Sequence, residues 1–90
     1  MADATGHLDG NCLAGPLSEI LSVEPTTAWW RCPECARSGP LAGLHVYGPE
    51  PGLTARCPGC AYIALRLVRE GEHIWLTVGG GTGAFRFRTA

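Results

Sequence analysis

Arg31-Cys32-Pro33-Glu34-Cys35 and Arg56-Cys57-Pro58-Gly59-Cys60 are the two stretches from which the fold of this 90-residue chain is read. Each is a Cys-Pro-x-Cys knuckle. Two residues between paired cysteines allow a tight turn to aim both sulfurs at one ion, and a second such turn completes a shell of four sulfurs. Cys32, Cys35, Cys57 and Cys60 are therefore the predicted metal ligands, joined by a 21-residue connection long enough for a hairpin.

The rest of the chain explains why such a clamp is needed. Ninety residues make one small domain, which buries too little apolar surface to stand far above the stability threshold. Zinc binding in small finger peptides contributes on the order of 10 kcal/mol near neutral pH, and this counts as folding free energy. All seven basic residues are arginine and the formal net charge is −1. A divalent ion on four thiolates lowers that charge by a further two, a poor overall field for attracting a polyanion. The lack of lysine beside abundant Ala, Gly and Arg reads as the coding of a GC-rich bacterium.

The opening residues show neither a basic nor an apolar leader region, and nothing approaches the ~20 apolar residues of a membrane span. The expected location is the cytoplasm, where paired cysteines are better explained as metal ligands than as disulfides.

Working outward, the chain divides into an N-terminal arm (1–28), a metal-bearing β region (29–78) and a Gly-rich loop with a last strand (79–90), all in one domain. In the arm, Leu13, Leu17, Ile20 and Leu21 fall on one side of a short helix, expected to open at 15–16 after an Asp9-Gly10-Asn11 turn and to stop by Pro25. Such a helix is too short to stand alone and must pack on the ribbon or on a partner. Trp29 to Cys32 is predicted to enter the first knuckle as a strand, Ser38-Gly39-Pro40 to turn, and Leu44 to Tyr47 to form the next strand. Leu53 to Cys57 leads to the second knuckle and Ala61 to Val68 leaves it. Glu70-Gly71-Glu72 reads as a hairpin turn before His73–Val78, and Ala84 to Arg88 either resumes the sheet, with phenyl and guanidinium groups alternating, or forms a loose tail. The fold class is a small metal-stapled β-rich domain, a zinc ribbon with an antiparallel sheet and a short N-terminal helix.

Four thiolates suit Zn2+, and they also suit Fe. The iron reading resembles rubredoxin, whose knuckles are likewise Cys-Pro-x-Cys. That resemblance implies an aromatic core, and glycine where this chain has Ala36 and Ala61; alanine there disfavours a left-handed turn and counts against iron. A catalytic zinc keeps an open position, whereas four protein ligands close the shell, so no catalytic residue is assigned. His7, His45 and His73 are scattered and read as ordinary strand or surface residues. Cys12 lies outside ligand spacing and reads as a structural cysteine. Gly79 to Gly83 lacks the lysine and following helix of a phosphate loop and reads as a connection. Arginines near Trp29, Trp30 and Phe87 support an alternative, a nucleic-acid-binding zinc ribbon.

His7-Leu8-Asp9-Gly10-Asn11, Leu13 to Leu17, both knuckles, Leu44 to Tyr47 and Trp75-Leu76 together resemble a family of short bacterial zinc-ribbon proteins of unknown function. The resemblance covers about residues 7–78. It implies Cys32, Cys35, Cys57 and Cys60 as ligands and a molybdopterin or flavin oxidoreductase as partner. The expected role is a non-catalytic accessory protein that binds another protein, as a small subunit of an oxidoreductase complex.

Overall fold

A computed structural model of the protein describes residues 7–21, 24–49, 51–81 and 83–89. Among the described residues, eight strands form two antiparallel sheets. The larger runs in the order β1 (Leu8–Asp9), β4 (His45–Tyr47), β5 (Gly52–Arg56), β6 (Ile63–Glu70), β7 (His73–Val78), β8 (Phe85–Arg88). The smaller pairs β2 (Trp29–Arg31) with β3 (Ser38–Pro40).

Alternation along these strands sorts side chains to two faces. Val46, Leu53, Ala55, Leu65, Leu67 and Ile74 point to one side and are buried. Register puts Leu76, Val78, Phe85 and Phe87 on that same side, at its far end. The opposite face carries His45, Tyr47, Thr54, Arg66, Trp75, Thr77 and Arg86, none of them buried. The core is therefore one-sided and lies between the large sheet and the N-terminal arm.

The arm closes that core in an unexpected way. Leu8 and Asp9 add to the sheet edge beside Val46 and His45. The Asp9 carboxylate then accepts from the Asn11 amide at 2.9 Å and caps a 3-10 turn over Gly10–Leu13. A five-residue helix α1 (Ala14–Ser18) follows directly, shorter than the sequence pattern suggests and starting earlier. Pro16 is tolerated because it sits in the first turn, where its missing N–H has no intrahelical acceptor. Leu13 and Leu17 are fully buried, while Leu21, past the helix, is exposed. A bidentate pair of Arg69 with Glu19 ties the end of the arm to β6. The Arg69 hydrogen bond outweighs burial and, with a smaller contribution from the Arg69 charge, holds the Glu19 carboxyl below its usual range.

Ser38-Gly39-Pro40 forms a strand, not the expected turn, because the first knuckle is itself the hairpin turn. The chain must then run back along β2, pairing Trp29 with Pro40 and Arg31 with Ser38. Pro40 is compatible with an edge position that needs no donor. Glu70 and His73 close a two-residue hairpin at Gly71-Glu72, whose first residue has φ +61°. A positive φ at the first central residue matches the twist of the flanking strands and suits glycine. No helix among the described residues is long and apolar enough to cross a membrane.

Candidate metal centre

The two knuckles sit at the tips of different sheets. Cys32 to Cys35 turns the chain from β2 to β3, and Cys57 to Cys60 turns it from β5 to β6. Their backbones repeat the same pattern. The Ala36 amide donates to the Cys32 carbonyl and Cys32 to that of Arg37; the Ala61 amide donates to Cys57 and Cys57 to Tyr62, all between 2.8 and 3.0 Å. Amides of Glu34 and Cys35 point at the Cys32 sulfur at 3.4 and 3.5 Å, and the Gly59 amide at the Cys57 sulfur at 3.3 Å. Such bonds favour a thiolate over a thiol.

These turns bring the four predicted ligands together. All four Sγ atoms lie within 4.8 Å of one another. Cys32 to Cys60 is 3.6 Å and Cys35 to Cys57 is 3.7 Å. A metal–sulfur bond of ~2.3 Å in a tetrahedron places sulfurs about 3.8 Å apart, whereas a disulfide requires ~2.05 Å. The donor set thus fits one tetrahedral ion. Cys32 and Cys57 are 1% and 2% exposed, and Cys35 and Cys60 face outward.

Charge explains why an ion belongs there. Burial pushes the Cys57 thiol up, but the amides of Gly59 and Cys60, helped by neighbouring thiols, bring it to about 7. The Tyr62 amide pulls Cys60 down, yet burial and its three crowded neighbours push it up to about 12. The Arg37 amide likewise draws Cys35 down while burial and Cys57 prevail upward. Sulfurs this close cannot all ionise without a cation, which is what a divalent metal supplies. The Arg37 stem packs toward Gly59, and Arg56 donates to the Ala61 carbonyl at 2.8 Å, so both arginines brace the second knuckle.

Each knuckle ends in a left-handed residue, Ala36 at φ +64° and Ala61 at φ +67°. The absence of glycine at 36 and 61 therefore loses its force as an argument against iron, since alanine makes the same turn. It does so under strain, roughly 1 kcal/mol for a residue with a Cβ. Replacing Ala36 or Ala61 with glycine is expected to raise stability by up to about 1 kcal/mol each, after the entropic cost of glycine. A higher urea midpoint at unchanged slope and unchanged metal content checks this.

The remaining candidates lie apart. Cys12 is half-buried against the core. His7 and His45 are not scattered: pairing of β1 with β4 stacks their rings at 3.9 Å, with Tyr47 at 6.0 Å from His7. None of the three histidines joins the cysteine cluster. The glycine run leads into β8, and the Gly79 amide donates to the Ala64 carbonyl at 2.8 Å. A cleft of about 140 Å³ beside the cluster is lined by Trp30, Arg37, Pro40, Leu44 and Pro58. Small-molecule sites span about 300–1,000 Å³, so this one has room for a single side chain.

One protein-family model, described as a family of unknown function (DUF6510), matches residues 3–90. Comparison with curated proteins and with solved structures found no match.

Proposed function

We propose that this chain, which belongs to the DUF6510 family of unknown function, is a non-catalytic accessory protein whose metal staple holds a surface for another protein. One observation carries the reading. The four sulfurs complete a shell by themselves, while Trp29, Val78 and Phe85 stand 71%, 67% and 67% exposed on so small a domain. A complete shell favours a structural ion over a catalytic one. Large apolar groups left this exposed favour a docking role.

Zinc is the proposed ion. The buried core is aliphatic, built on Leu, Val, Ile and Ala side chains, unlike the aromatic core that the rubredoxin resemblance implies. Elemental analysis of protein made in a cytoplasm is expected to give one zinc per chain and a colourless solution. A red protein containing iron contradicts this.

The test of the role is purification of the full chain at native abundance. A stoichiometric companion is expected, and a molybdopterin or flavin oxidoreductase is the one the sequence resemblance implies. A lone monomer overturns the proposal.

A further inference from the structure

β8 is the exposed edge of the large sheet, and its two sides differ in a way that specifies what pairs with it. The Thr89 amide donates to the Glu72 carbonyl at 2.8 Å, and Phe87 stands opposite Ile74. Backbone groups alternate along an antiparallel strand. Phe85 and Phe87 therefore direct their amides and carbonyls toward β7, and Arg86 and Arg88 direct theirs outward.

Side chains alternate as well. Phe85 and Phe87 lie 6.4 Å apart between ring centres and continue the core face past the reach of the arm. With Val78 they form an apolar strip whose outer members are two-thirds exposed. Arg86 and Arg88 occupy the other face, Arg86 above the Trp75 ring at 5.7 Å and Arg88 on Glu72 at 2.8 Å.

From this edge we infer that β8 accepts an extended strand of a partner protein in which acidic and apolar residues alternate. The inference rests on the protein-binding role proposed above. Main-chain bonds to Arg86 and Arg88 supply the attachment, as in other strand additions. Acidic side chains then fall beside the guanidinium groups and apolar ones beside the phenyl rings. A second copy is the wrong occupant. Antiparallel self-pairing centred on Phe87 sets Arg86 against Arg88 of the other chain on one face, and like charges directly opposite are destabilising. The opposite edge of the sheet is the two-residue β1, too short to offer an equal ladder.

The test uses the metal-loaded full chain with two capped synthetic peptides, Thr-Glu-Val-Glu-Val-Glu-Thr and Thr-Lys-Val-Lys-Val-Lys-Thr. Titration followed by amide NMR is expected to shift and protect the Arg86 and Arg88 amides with the acidic peptide. Its affinity should exceed that of the basic peptide by roughly tenfold, the scale of two cross-strand charge pairs. Two variants keep the test independent of folding. Arg86→Pro removes the outward donor together with the guanidinium over Trp75 but no bond to β7, which an edge strand tolerates, and should abolish binding while the Phe85 and Phe87 amides stay bonded to β7. The double variant R86E/R88E should reverse the preference toward the basic peptide.

Equal binding of both peptides, no protection at Arg86 and Arg88, or binding of a 12-nucleotide single-stranded RNA in place of the acidic peptide overturns the inference. If a companion co-purifies and R86E/R88E still retains it, the edge proposal fails while the accessory role stands. If the acidic peptide binds at β8 but no companion co-purifies, the accessory role fails alone.

Discussion

Stripping the metal, or replacing Cys57 with serine, is expected to release the β2–β3 hairpin first and to lower stability by several kcal/mol. The cluster takes two ligands from the hairpin tip of the small sheet and two from that of the large one, so the ion cross-links the sheets. Without it, Trp29–Pro40 is held to the rest by side-chain packing, through the half-buried Trp30 and the buried Leu41 and Leu44 that follow the hairpin. The core cluster of Leu65, Leu67 and Ile74 does not include the four ligand cysteines. The loss is therefore smaller than the ~10 kcal/mol of a finger peptide that has no other core. Hydrogen exchange should show the Cys32 and Ala36 amides losing protection by far more than those of β6 and β7. Acid should act in the same direction, since protons compete with the ion for each thiolate. Cys12→Ser is the control and should leave metal content unchanged.

Substituting alanine for Gly10 is expected to be the most damaging change outside the cluster, at about 3 kcal/mol or more. A Cβ there meets the Leu41 carbonyl oxygen at 1.8 Å, its carbon at 2.7 Å and the Ala42 Cα at 2.9 Å. All three are backbone atoms, so no side chain can swing aside. The turn over Gly10–Leu13 has to lift from the turn over Leu41–Gly43, drawing Leu13 and Leu17 out of the core. Gly15 provides the contrast. Apart from its chain neighbours and the helix's own backbone, nothing lies within 4 Å of a Cβ at that position, and Gly15→Ala should change stability by no more than about 1 kcal/mol, the restriction that Pro16 places on the residue before it opposing the gain in helix propensity. Urea unfolding of the two variants beside the parent chain separates them.

Gly10 also shows where sequence reading stops. Its place in an Asp-Gly-Asn segment suggests a turn, which is right locally, but the reason for glycine is a backbone contact with residues 41 and 42 that only the tertiary fold creates. The knuckles were legible because their ligands are set by spacing of two within each turn. The hairpin at residues 70–73 was legible because Gly71 carries its own turn chemistry. Ser38-Gly39-Pro40 has turn composition and yet forms strand β3, because its conformation is dictated by the knuckle before it. The periodicity of Leu13, Leu17 and Ile20 does not distinguish a 3-10 start from an α-helical one, so the 3-10 turn that leads into α1 leaves no mark in it. The stack of His7 on His45 and the one-sided core both depend on β1 joining β4, a pairing between residues 36 to 38 positions apart that no local pattern announces.

The role proposed for this chain depends on the four cysteines closing around a single ion. X-ray absorption at the metal edge of the purified chain measures that shell directly. The expected result is four sulfur neighbours at about 2.3 Å and no lighter ligand. A mixed shell of two or three sulfurs with nitrogen or oxygen, or a chain that carries no metal and pairs these cysteines as disulfides, would contradict it.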